Sequence, residues 1–294
     1  MTQAAGTRLV FGLVNGLGNS FWTVVIKAAE TVLLRRGYGM VLADIRDDPE
    51  RLAHFEQVAR SGNIAGLMLC GSSPEFTARV LAAERPAVIL YSTAPPGRTV
   101  PTFGVANREA VGEVMRYLIG LGHRRIAHLA GPQDNVDGRE RLDGYREGLA
   151  AGGLPFDEAL VWQGDFTFVS GTRSAARCLS LVDRPTAVFA ASDEMAIGLV
   201  SGLRENGLAV PEDISVVGFD GTDLSAMYQP ALTTILQPRA ELGRLAAESI
   251  VRQLDGLAPE EGTVRLPCRL VVRQSVAPVL ETSTTLFPAE GEPL

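Results

Sequence analysis

Short apolar runs alternate along this chain with longer segments whose apolar positions recur every three or four residues. The stretch 186–220 shows the pattern most clearly. Residues 186–191 are a brief run of apolar, β-branched and aromatic side chains, as expected of a buried strand. Ala196, Leu199, Val200 and Leu203 then fall at i, i+3, i+4 and i+7, one face of a helix. Ser192 or Asp193 can cap its start, Gly207 with Pro211 shortly after marks its end, and 214–218 is the next apolar run. A parallel strand–helix–strand unit crosses over right-handed, so both strands point their carboxyl ends the same way. Asp193 and Asp220 follow those two ends, where open α/β sheets bind ligands. The competing roles are structural: a helix cap for Asp193 and a turn with Gly221 for Asp220.

The same rhythm fills the rest of the chain. Strands are predicted at 9–14, 39–43, 64–69 and 87–91, alternating with helices at 21–36, 49–60 and 74–84. The loop-like APPGRTVP at 94–101 separates this half from a second one. There, strands at 102–105, 125–130 and 160–163 alternate with helices at 108–121, 137–151 and 168–181. A strand at 231–236, a long helix at 238–254 and closing strands at 264–266 and 270–273, split by Pro267, follow the central unit. Repeats of about 25–30 residues predict mainly parallel, doubly wound sheets. Two similar halves on either side of residue 100 imply two lobes with a cleft between them. Asn19 and Asn107 are placed to cap helices, and His123, Arg124 and Arg125 follow a helix end, where cations complement the dipole. Beyond Pro278 the segment ETSTTLFPAEGEPL lacks periodicity and reads as an extended tail.

Composition narrows the function classes. The chain has 294 residues, room for about two domains on length alone. No apolar run approaches the ~20 residues of a membrane span. The N-terminus lacks the basic-then-apolar plan of a secretory signal, and Cys70, Cys178 and Cys268 are odd in number, far apart and in apolar contexts. Buried thiols in a reducing cytoplasm are expected, not a disulfide framework. Net charge is −7 with only short basic spots, so nothing predicts a polypeptide that binds nucleic acid by itself.

Catalytic and cofactor signatures fail on inspection. Asn15-Gly16-Leu17-Gly18-Asn19-Ser20-Phe21 follows a strand and opens a helix, but Phe21 replaces the third glycine of a dinucleotide fingerprint and Asp44 comes late for a ribose contact. A cleft wall is the better reading, with Asn19 capping the helix and Phe21 or Trp22 offering an apolar face. Nucleophile-elbow and Walker patterns are absent, and His54, His123 and His128 have no metal spacing with any cysteine. No metal, cofactor or catalysis is expected. Arg139-Glu140-Arg141 opens a helix after the Gly131-Pro132 turn and aims donors at the cleft of Asp193 and Asp220. A guanidinium fork facing two carboxylates suits a polyhydroxylated or zwitterionic small molecule. Phe166, past another strand end, is a candidate stacking platform, and Tyr91, closing the 87–91 strand, joins the ligand-binding candidates.

Taken together, these segments resemble the effector-binding core of the LacI/GalR (lactose-repressor) family of transcription regulators. The resemblance rests on GHRRIAHLAGP (122–132), RERLDGYREGL (139–149), PTAVFAASDEMAIG (185–198), VPEDISVVGFD (210–220), LTTILQPRAELGRLAAE (232–248) and, in the first lobe, RRGYGMVLADIRDDPERL. It implies a type I periplasmic-binding-protein-like fold with crossovers near Asn107, Gln237–Pro238 and Cys268. One lobe would comprise 7–106 and 239–268, the other 107–238 and 269–281, with 282–294 as the tail. By matched position it implies Arg141 as donor, Asp220 as acceptor, Ser192 at a strand end, Phe166 as stacking partner and Gln237 at the hinge. Asn19, Phe21 and Trp22 would form the first-lobe wall. Ser20 stands where the family has proline and Ser192 where asparagine is common. Family members also carry an N-terminal helix-turn-helix, whereas Met1–Thr7 here leads straight into a strand. A cytoplasmic, homodimeric core without its headpiece is therefore expected, contacting operator DNA only through that missing segment and sensing a sugar, polyol, sugar acid or purine. The alternative expectation is a soluble sugar-binding protein of a transport system.

Overall fold

The computed structural model describes residues 8–45, 49–259 and 262–279, except the side chains of residues 46–50. The expected tail at 282–294 lies outside the described residues. The first lobe alternates β1 (Arg8–Val14), α1 (Phe21–Arg35), β2 (Tyr38–Asp44), α2 (Pro49–Ala59), β3 (Ile64–Cys70), α3 (Pro74–Leu81), β4 (Ala87–Leu90) and β5 (Thr102–Val105). The second lobe runs α4 (Asn107–Gly120), β6 (Ile126–Ala130), α5 (Val136–Ala151), β7 (Val161–Gln163), α6 (Phe168–Ser180), β8 (Ala187–Ala190), α7 (Asp193–Glu205), β9 (Ser215–Asp220), α8 (Asp223–Met227) and β10 (Thr233–Leu236). The chain then returns to the first lobe for α9 (Arg239–Leu254) and β11 (Thr263–Leu266), and ends in the second with β12 (Arg269–Val271).

The strands form two six-stranded sheets with one plan, β2-β1-β3-β4-β5-β11 and β7-β6-β8-β9-β10-β12. Every pairing is parallel except β10 with β12. This is the doubly wound type I fold, and the chain crosses between sheets after β5, after β10 and between β11 and β12. In each sheet the order reverses beside its first strand, between β1 and β3 and between β6 and β8. Ligand crevices of open α/β sheets form at such reversals, outside the strand carboxyl ends.

Helices α1 and α9 cover one face of the first sheet and α2 and α3 the other; α4 with α5 and α6 with α7 do the same for the second. One apolar cluster runs from Val10, Val25 and Leu242 in the first lobe through Tyr91 to Val111, Phe189 and Phe219 in the second. Two helix pairs come so close that glycine is required. A Cβ on Gly198 would overlap the carbonyl oxygen of Phe168, joining α7 to α6, and one on Gly243 would overlap that of Val25, joining α9 to α1. Among the described residues no helix is long and apolar enough to cross a membrane.

Several local expectations change. Asn107 does not cap α4: Ala106 stands at the cap without a side-chain bond, and Asn107 lies inside the helix, tied to α5. His123 is not a helix-end cation. It is buried between Thr186 Oγ1 and the Ala277 carbonyl, and burial pulls its pKa down, favouring the neutral ring. Arg139 turns outward to the Gln133 carbonyl instead of facing the cleft. Cys70 and Cys178 are buried as expected, but Cys268 is only half-buried. Strand β9 runs on through Asp220, and α8 was not foreseen.

Candidate functional site

The two order reversals face each other, and the side chains on their loops meet between the lobes. Arg141, on the second turn of α5, is buried. Its Nε donates to Asn107 Oδ1 at 2.9 Å and an Nη to the Ala191 carbonyl at 2.6 Å. The guanidinium lies 3.8 Å from the Phe219 ring centroid and 5.7 Å from that of Phe166. Apolar rings thus hold the cation flat while its remaining N–H groups stay available. Phe166 sits over Gly131, where a Cβ would strike its ring.

A hydrogen-bonded chain links the lobes beside it. Tyr91 donates its hydroxyl to Gln237 Oε1 at 3.0 Å, and Gln237 Nε2 donates to Asp220 Oδ1 at 2.7 Å. Burial pushes the Asp220 carboxyl up to about 8; Arg141 opposes the shift and Asp193 reinforces it. Tyr91 is raised well above its usual range, first by burial and then by Asp137. Asp137 is also raised by burial, against the pull of Arg141. Tyr91, Phe166 and Asp220 all adopt positive φ, at 53°, 65° and 132°. Non-glycine residues rarely do so, and such strain concentrates at functional sites.

The first lobe supplies the apolar wall. Phe21, Trp22 and Tyr91 pack edge to face with centroids 5.1–5.5 Å apart. Trp22 Nε1 donates to the Asn15 carbonyl, which fixes the ring against the β1 loop. Asn19 Oδ1 accepts the Phe21 amide at 2.8 Å, so this asparagine caps α1. Asp44 accepts the Gly16 amide at 3.1 Å, which engages that carboxylate with the loop itself.

Not every candidate is presented to a ligand. Ser192 caps α7 by accepting the Met195 amide. Asp193 is wholly buried. One of its oxygens takes the Thr222 amide and hydroxyl at 2.7 and 2.9 Å, and the other takes the Thr234 hydroxyl at 2.5 Å. Its carboxylate ties α7 to the ends of β9 and β10. The structure therefore brings Arg141, Asp220, Gln237, Tyr91 and Phe166 together opposite Phe21 and Trp22, while Asn19, Ser192 and Asp193 hold the surrounding loops.

Sequence reasoning missed three polar groups here. Asp137 lies one turn before Arg141 and accepts Asn107 Nδ2 at 2.8 Å. Glu194 accepts the Ser20 amide at 3.2 Å across the cleft, meeting the N-terminus of α1, where the Ser20 side chain itself makes no capping bond. Glu140 pairs with Arg265 of β11 at 2.7 Å, a further link between lobes. The i, i+4 spacing of Asp137 and Arg141 was the one available signal. Together the groups offer carboxylate acceptors, amide and guanidinium donors and aromatic faces, the equipment for holding a polar ring.

Comparison with known proteins bears on the fold and the family. Residues 115–276 match the family described as periplasmic binding protein-like domain. The HTH-type transcriptional repressor CytR of Escherichia coli K12 is 33% identical over 270 residues, covering 92% of this chain and 79% of that protein. The solved complex of the transcriptional regulator CelR with cellobiose superposes with a TM-score of 0.85 at 32% identity, over 92% of this chain and 85% of that one. A lac repressor dimer bound to operator and the anti-inducer ONPF superposes at 0.80 with 26% identity, over 93% of this chain and 96% of that one.

Proposed function

The chain belongs to the LacI/GalR family of transcription regulators and forms an effector-binding core of that family, and we propose that its effector is a sugar or sugar derivative held between the lobes. The observation that carries this reading is the joined set of Arg141, the Asp220–Gln237–Tyr91 chain and the Phe21–Trp22 wall. The Asp220 carboxyl exchanges hydrogen bonds with hydroxyl groups, the guanidinium and amide donate to ring and hydroxyl oxygens, and an aromatic face covers the C–H side of a sugar ring. The CelR complex with cellobiose supports the same class.

Kinship with regulators decides against the transport alternative. No catalytic step is assigned to any residue, and the expected place of work is the cytoplasm. An effector would exchange the Ser20–Glu194 contact and its neighbours for its own, changing lobe closure by its differential affinity for the two arrangements. A homodimer on operator DNA, contacted through a helix-turn-helix segment, is the assembly in which closure would be read, by analogy with the lac repressor dimer on its operator.

The test is thermal unfolding against sugars, polyols, sugar acids and purines, beside Asp220→Ala and Arg141→Ala. A ligand at ~100 times its Kd stabilises the fold by about 2.7 kcal/mol. A sugar that shifts the parent but neither variant supports the proposal. A purine doing so changes the ligand class, and equal shifts in all three proteins place the site elsewhere.

A further inference from the structure

Away from the cleft, the two lobes differ at the poles where their strands begin. The connections leading into the first-lobe strands carry Arg36, Arg60, Arg85 and Arg98, and Arg8 opens β1, against Glu84 and Asp255 among the described residues. Arg35 and Arg252, in the last turns of α1 and α9, add to the same pole. Glu260 and Glu261 also belong to the α9–β11 connection and lie outside the described residues. Of these arginines Arg36 alone forms an ion pair among the described residues, with Asp255 at 2.7 Å.

The second lobe is an internal control, because it has the same strand order and the same helix ends at its pole. Its connections into strands carry Arg124, Arg125 and Arg184, and Arg177 and Arg204 stand in the last turns of α6 and α7, against Asp157, Glu158, Asp183, Glu212 and Asp213. Arg125 there pairs with both Asp157 and Asp183, each at 3.3 Å. Cations complement helix C-terminal dipoles equally well in both lobes. The dipoles therefore do not account for a basic pole on one lobe alone, in a chain whose net charge is −7.

The basic pole is also shaped. Arg8 and Arg85 line a groove of about 310 Å³ with Asn63 and Gln253. Arg85 Nε there is buried without a hydrogen-bond partner, although an Nη of the same side chain reaches the Arg60 and Ser61 carbonyls. A second groove of about 140 Å³ joins Arg85 to Arg98. Guanidinium forks on a grooved surface suit phosphate groups. Because β1 starts at this pole, any segment preceding Arg8 leaves the lobe here, and DNA held by such a segment would be held close to these arginines.

We propose that this arginine pole binds backbone phosphates of duplex DNA, adding sequence-independent affinity from the core itself. The proposal rests on the regulator reading above. It is tested by fluorescence anisotropy of the chain with a short labelled duplex of arbitrary sequence, from low salt upward. Binding should weaken with salt, log K falling by ~0.9 per log unit for each phosphate neutralised. Arg60→Ser/Arg85→Ser/Arg98→Ser should weaken low-salt binding about tenfold or more and reduce the salt slope by about 1 per arginine. The second-lobe pair Arg124→Ser/Arg184→Ser should change neither. Arg8→Ser/Arg60→Ser removes guanidiniums that hold no carbonyl among the described residues, and it decides the matter if loss of the Arg85 contacts unfolds the first variant. No binding by the parent, equal losses in both lobes, or equal competition by inorganic phosphate and duplex at matched phosphate concentration would overturn the assignment. A chain that answers to an effector but not to DNA keeps the regulator reading and loses the pole. One that binds DNA through the pole but answers to no effector does the reverse.

Discussion

Asp220 closes β9 at a φ of 132°, with its carboxyl buried, bonded to Gln237 and raised to about 8. An aspartate in the unfolded chain titrates near 4, so here the folded value lies above the unfolded one. The folded state holds this proton more tightly, so the group's favourable contribution is complete in acid and is lost as pH rises from about 4 through about 8. Asp220→Asn keeps the oxygen that accepts from Gln237 and removes the titration. Its melting midpoint should therefore exceed the parent's by a margin that widens between pH 5 and 9, while effector-induced stabilisation disappears. Melting curves across that range, with and without effector, check both halves. A variant less stable than the parent at pH 9 would contradict the account. Asp193, one strand over, shows why residue type alone misleads: it stands at a strand end like Asp220, yet Thr222 and Thr234 occupy its oxygens. Nothing in the sequence marks those threonines as its partners, because they lie 29 and 41 residues away.

Helices and strands were the legible scale. Buried parallel strands are short apolar runs, and helices covering them carry one apolar stripe, so both periods stand out in the letters. Strand ends could be located to within a few residues, which is why Arg141 and Asp220 could be named as neighbours, whereas Gln237 was reached only through the family resemblance. Acidic residues in the first turn of a helix were less legible. Asp137 and Glu194 resemble dipole-complementing acids in sequence, and only the facing lobe reveals Glu194 on the Ser20 amide. Charge collected at a pole is harder still, since Arg8 and Arg252 stand at opposite ends of the chain. Helix contacts were equally hidden. Gly198 lies in α7 against the Phe168 carbonyl, and a methyl there must push α6 and α7 apart. Overpacking of this kind costs roughly 1–3 kcal/mol, so Gly198→Ala should lower denaturant stability by that amount. Urea titration at constant m-value is the measurement, and effector affinity of the folded fraction should be unchanged.

At the scale of the molecule, Leu224 and Met227 on α8 and Val272 just past β12 leave apolar surface exposed on the second lobe. Arg273 bonds Ser225 and the Leu232 carbonyl, so these elements are held side by side. If this patch is the dimer face, Met227→Glu should give monomers in sedimentation equilibrium at concentrations where the parent is dimeric, with an unchanged melting curve per protomer. Persistence of the dimer would move the interface elsewhere. The three passages between lobes carry a different consequence, one for descent. Neither lobe is a continuous stretch of sequence, since α9 and β11 of the first lobe are encoded after five strands of the second lobe's sheet and before its sixth, β12. A single recombination between two related genes therefore leaves at least one lobe assembled from two parents. Its helix α9 would have to pack on an α1 it did not evolve beside, with Gly243 against Val25 as the point of fit. New effector specificities in such a chain are more readily inherited as point changes within the cleft than as exchanged lobes.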